Sequence, residues 1–82
     1  MYIQKIIERK DIVTYLEKRN LLEKYKKVKK FVLNGDFKLV DLKKRKPKKD
    51  EIWHFRIDKQ FRALCYFEDN ILMVFDIDNH QK

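Results

Sequence analysis

The chain has 82 residues, 44% hydrophobic and 41% charged, enough for one small domain over residues 1–82 with a modest core under a heavily solvated surface. It offers no run near the roughly 18 consecutive apolar residues of a membrane span, and its one Trp, four Tyr and six Phe argue against disorder. The single Cys65 cannot close an internal disulfide, and with no charged-then-apolar leader the expectation is a soluble, cytoplasmic protein.

Met1 to Ile6 reads as a short strand. From about Glu8 the pattern turns helical, with Ile12, Val13 and Leu16 on one side. Asp11 can cap a later start, and Asn20 marks a stop or bend. Leu21, Leu22, Tyr25, Val28 and Val32 then recur at three- and four-residue spacing, while Lys24, Lys26, Lys27, Lys29 and Lys30 fall on the outer side. Asn34-Gly35-Asp36 ends this second helix, since glycine adopts the left-handed conformation without a Cβ clash.

After Gly35 the period falls to two. Phe37, Leu39, Val40 and Leu42 predict a strand running into Lys43-Lys44-Arg45-Lys46-Pro47-Lys48-Lys49. Trp53, Phe55 and Ile57 alternate with His54, Arg56 and Asp58. Phe61, Ala63, Cys65 and Phe67 alternate with Arg62, Leu64 and Tyr66, and Ile71, Met73, Phe75 and Ile77 alternate with Leu72, Val74, Asp76 and Asp78. Short polar turns separate these runs, an antiparallel meander. The predicted fold is α+β: an N-terminal strand, a two-helix hairpin, then an antiparallel sheet of three to four strands. The first-named series of each run faces the helices. The opposite face receives His54, Arg56 and Arg62, with Asp76 and His80 near one end.

The net charge of +8 is uneven: +11 over residues 1–49 and −3 over residues 50–82. A clustered cationic surface points to a polyanion, most often nucleic acid. The two histidines match no metal template, one glycine cannot build a phosphate loop, and there is no serine nucleophile; no cofactor is expected. RNA cleavage needs less, because the ribose 2′-hydroxyl is an internal nucleophile for the adjacent phosphate. The protein must orient it, neutralise charge on the phosphoryl oxygens and move protons. Arginine suits the second task through paired hydrogen bonds and histidine the third through its ordinary pKa. Arg62, Arg56, His80 and His54 are therefore the candidate catalytic residues. Lys43, Lys44, Arg45, Lys46, Lys48 and Lys49 are the candidate RNA-binding residues.

The order of elements, the tract from Leu42 to Pro47, the stretch from Ile52 to Ala63 containing Phe55-Arg56-Ile57 and Phe61-Arg62, and the ending from Phe75 to His80 resemble the RelE/ParE superfamily of type II toxins. The resemblance covers essentially the whole chain. It implies a RelE-like, ribosome-dependent endoribonuclease that cuts messenger RNA, neutralised by a co-encoded antitoxin that wraps it. It puts Arg62 at the scissile phosphate, His80 near the position of a general acid, and Arg56 with Lys43 to Lys46 against RNA. The sequence departs from the pattern in stopping at Gln81-Lys82, where many relatives continue into a segment bearing an aromatic residue; Glu51 is a candidate base. Two other readings share the fold: a ParE-like gyrase inhibitor, and a catalytically silent member that retains antitoxin or nucleic-acid binding. The expected antitoxin segment is acidic or amphipathic and covers the basic surface.

Overall fold

The structure, a computed structural model, describes residues 1–79. In chain order it contains β1 (Lys5–Glu8), α1 (Lys10–Lys18), α2 (Leu22–Leu33), β2 (Lys43–Lys44), a single 3-10 turn (Lys48–Asp50), β3 (Trp53–Arg56), β4 (Phe61–Glu68) and β5 (Ile71–Asn79). The fold is α+β as expected, but the sheet has five strands in the order β1-β5-β4-β3-β2 and is mixed. The neighbours from β2 to β5 pair antiparallel, while β1 lies parallel to β5 with Ile6 opposite Leu72.

Both helices end alike. After α1, Asn20 takes φ 57°, and the Leu21 and Asn20 amides donate to the Leu16 and Glu17 carbonyls. After α2, Gly35 takes φ 86°, and the Asp36 and Gly35 amides donate to Phe31 and Val32. Each is a Schellman stop, satisfying carbonyls the helix leaves open. Ile12 and Leu16 from α1, with Leu21, Tyr25, Val28 and Val32, bury their side chains against Phe55, Ala63, Cys65, Leu72 and Val74 of the sheet. Tyr25 stacks on Phe55 at 6.2 Å. Its hydroxyl donates to Glu8 Oε1 at 2.6 Å, and Lys29 Nζ donates to the same oxygen at 3.0 Å, tying α2 to β1.

Four expectations shift. The first strand runs from Lys5 to Glu8, not Met1 to Ile6, although the Gln4 amide already bonds the Asn70 carbonyl. The first helix starts at Lys10, and Asp11 is no cap: it sits in the first turn, paired with Arg9 at 2.9 Å. Residues 37–42 form turns, not a strand. Leu39, Asp41 and Leu42 amides return to Asp36, Lys38 and Phe37, and Asp41 takes φ 55°. Val40 is buried and Leu39 is 63% exposed, so the inward side chains of Phe37 and Val40 are spaced by three, as a turn requires.

The fourth shift concerns β5. Leu72 and Val74 are its buried residues in the first half, not Ile71 and Met73, whereas Ile77 is buried in the second half. Cys65 pairs with Val74 and Leu64 with Asp76, leaving Phe75 as an extra residue. This β-bulge inverts the alternation midway along the strand.

Candidate nucleic-acid interface

The helices cover one sheet face and leave the other open. Strand register arranges the open face in rows. Lys43, His54, Leu64 and Asp76 are successive cross-strand partners, and two residues further along so are Arg56, Arg62 and Asp78. The structure thus brings Arg56, Arg62, His54 and Lys43 together on one face. It separates Lys44, whose partner is Trp53, on the helix side. His80 lies outside the described residues.

Arg45 joins the cluster from the loop after β2. Its Nη1 stands 3.5 Å from Asp78 Oδ2. This contact joins the loop after β2 to β5, and the loop residues Arg45, Lys46 and Pro47 share a cleft with Leu64 and Phe75, so the loop folds over the open face. The loop it leaves is held by the Arg45 amide donating to the Ile52 carbonyl at 2.7 Å, and by the 3-10 turn at Lys48–Asp50. Lys46, Lys48 and Lys49 are exposed along this loop.

The alternation correctly put His54 away from the helices, but not in solvent. Its side chain is 9% exposed, and neither ring nitrogen has a hydrogen-bond partner among the described residues. Burial, then the charges of Arg45, Arg62 and Lys43, hold its pKa below the ordinary value, with Asp41 opposing weakly. A neutral, buried imidazole is a poor proton donor at neutral pH.

Arg56 and Arg62 do not pair with Asp58. That carboxylate instead accepts the Gln60 and Phe61 amides at 2.8 Å, closing the β3–β4 turn. The other acids nearby are also engaged: Asp78 with Arg45, and Asp76 through its Oδ1 with the Ile77 amide. Among the described residues neither guanidinium has a side-chain hydrogen bond or ion pair. Like charges directly opposed across a strand pair repel, so an arriving anion removes an unfavourable term while forming charge-assisted hydrogen bonds.

Beside the arginines lies a cleft of about 270 Å³. Arg45, Lys46, Pro47, Asp50 and Ile52 line it from the loop, Leu64 and Phe75 from the sheet. Sequence reasoning missed these apolar members, because the bulge that frees Phe75 from the helix side breaks a strict alternation. The adjacent Val74-Phe75 pair, followed by Asp76, is the one visible sign. Glu51, exposed at φ 54°, lines a separate crevice with Trp53 and Tyr66.

No helix among the described residues is long and apolar enough to cross a membrane. No protein-family model matches the chain, and no curated protein matches its sequence significantly.

Proposed function

We propose that the chain is a RelE-like toxin, a metal-independent, ribosome-associated endoribonuclease that cuts messenger RNA and arrests translation. One observation carries the reading: Arg56 and Arg62 are opposed on adjacent strands of an open face, with nearby carboxylates engaged elsewhere. Two guanidiniums at strand spacing, without an ion pair among the described residues, suit the non-bridging oxygens of a phosphodiester, where negative charge grows as the 2′-oxygen attacks. In that step a 2′-O–P bond forms and the P–O5′ bond breaks. The 2′-hydroxyl proton leaves to a base, and the 5′-oxygen takes one up, yielding a cyclic phosphate and a free 5′-hydroxyl. Arg62 grips the scissile group, Arg56 supports it, and Lys43, Arg45, Lys46, Lys48 and Lys49 hold flanking phosphates. The partner is a cognate antitoxin whose acidic segment covers this surface.

Cell-free translation with wild type and Arg62→Ala tests the proposal. Wild type should stop synthesis and leave cleaved messenger RNA; the variant should do neither. Equal inhibition by both, with intact messenger RNA, refutes the chemistry, and DNA damage without translational arrest selects gyrase inhibition instead. A second reading, a catalytically silent binding member, draws on the burial of His54 and its depressed pKa. It expects salt-sensitive RNA binding with no cleavage at any protein concentration.

A further inference from the structure

We infer that the cleft between the basic loop and the sheet is a base pocket, taking one unpaired nucleobase of a single-stranded RNA whose phosphate lies on the arginine row. The inference rests on the proposed RNA contact and adds to it a second point of recognition.

Size comes first. A cleft of about 270 Å³ falls below the roughly 300–1,000 Å³ of drug- and cofactor-sized sites, so it suits one ring system. Its sheet side is apolar and aromatic, formed by Leu64 and Phe75. The Phe75 ring lies 5.9 Å from that of Tyr66, which is 40% exposed, so the shelf continues into solvent. Phe75 reaches this face only because the bulge places an extra residue opposite the Leu64–Cys65 step. Bulges of this kind re-aim a side chain beside a functional site. Ile52 supplies the facing wall, fixed by the backbone bond from Arg45. Asp50 also lines the cleft, and a carboxylate there can accept a hydrogen bond from an exocyclic amino group.

The neighbourhood supplies the phosphate contact. Leu64 is two residues from Arg62 along β4, roughly 6.6 Å, and Arg45 borders both the cleft and the arginine row. A cleft with an apolar, aromatic sheet side and Asp50 in its lining, adjoining guanidiniums that have no ion pair among the described residues, fits a planar, amine-bearing ring carrying a phosphate. The slot is too small for a duplex, which hides its bases in the stack.

Fluorescence anisotropy with a 5′-labelled six-nucleotide RNA, against an abasic ribose-phosphate strand of equal length and charge, tests this. The base-bearing strand should bind about 10-fold tighter, the scale of one stacked base. Phe75→Leu, checked for folding by circular dichroism, should narrow that gap and leave the abasic strand's affinity unchanged. Equal affinity of both strands for wild type overturns the pocket while leaving the arginine grip intact. Failure of both strands to bind at 50 mM salt overturns both.

Discussion

Replacing His54 with leucine should stabilise the protein, and more so in acid. Both imidazole nitrogens are buried without partners among the described residues, and a buried unsatisfied polar group costs about 1–3 kcal/mol. Leucine occupies similar space and ends that penalty, so a gain of about 1–3 kcal/mol is expected at neutral pH. For a domain of this size each kcal/mol raises Tm by about 4–8 °C. The pH dependence has a definite sign. Burial and the neighbouring cations depress the folded pKa of His54, whereas the unfolded chain regains a value of about 6.5. As pH falls through that value the unfolded state binds a proton that the folded state resists, and wild-type stability drops by up to about 1.4 kcal/mol per pH unit. The leucine variant lacks this group, so its advantage should widen from pH 7.5 to pH 5.5. Urea unfolding followed by the fluorescence of Trp53, the one tryptophan, measures both at each pH. A variant less stable than wild type throughout, or a gap that does not move with pH, would refute the reasoning.

Three further predictions probe other parts of the molecule. Tyr25→Phe removes the donor to Glu8 but leaves Lys29 on that carboxylate; a loss of about 1.5–3 kcal/mol is expected in urea unfolding, and a loss below about 0.5 would show that the network does not tie α2 to β1. Burial pushes the Cys65 thiol up to about 12, so it stays protonated at pH 8 and should react with a thiol reagent only near the unfolding midpoint. A stoichiometric burst under native conditions would contradict this. Asp78→Asn frees Arg45 and removes one negative charge from this face. The broken ion pair is partly exposed and contributes about 1 kcal/mol or less, so Tm should barely move while affinity for single-stranded RNA rises several-fold. A fall in affinity would mean that Asp78 orients Arg45 for the ligand.

The helices were readable because apolar spacing and stop residues agree: Tyr25, Val28 and Val32 mark a face, and Asn20 and Gly35 take the left-handed conformations that end it. The β3–β4 hairpin was readable because alternation and the Asp58 turn coincide. Three features were hidden for different reasons. The parallel pairing of β1 with β5 joins Ile6 to Leu72, a contact that no local pattern encodes. Phe75 looked like a core residue because a bulge shifts phase without changing composition. Alternation places His54 on the correct side, yet it cannot reveal that the loop carrying Arg45, paired with Asp78, folds over that side. The arginine row was legible because Arg56 and Arg62 sit on adjacent, well-patterned strands. The cleft beside it was not, because its walls come from a loop and a bulge.

The salt dependence of single-stranded RNA binding tests most directly whether the open face grips phosphate. Removing one side chain that neutralises a phosphate should reduce the slope of log K against log salt by about 0.7. Wild type and Arg56→Ala/Arg62→Ala would be compared by anisotropy between 50 and 200 mM salt, with Lys26→Ala/Lys27→Ala on α2 as a control of equal charge change. The slope should fall by roughly 1.4 for the arginine pair and stay near wild type for the lysine pair. Equal slopes for wild type and the arginine variant would contradict the account.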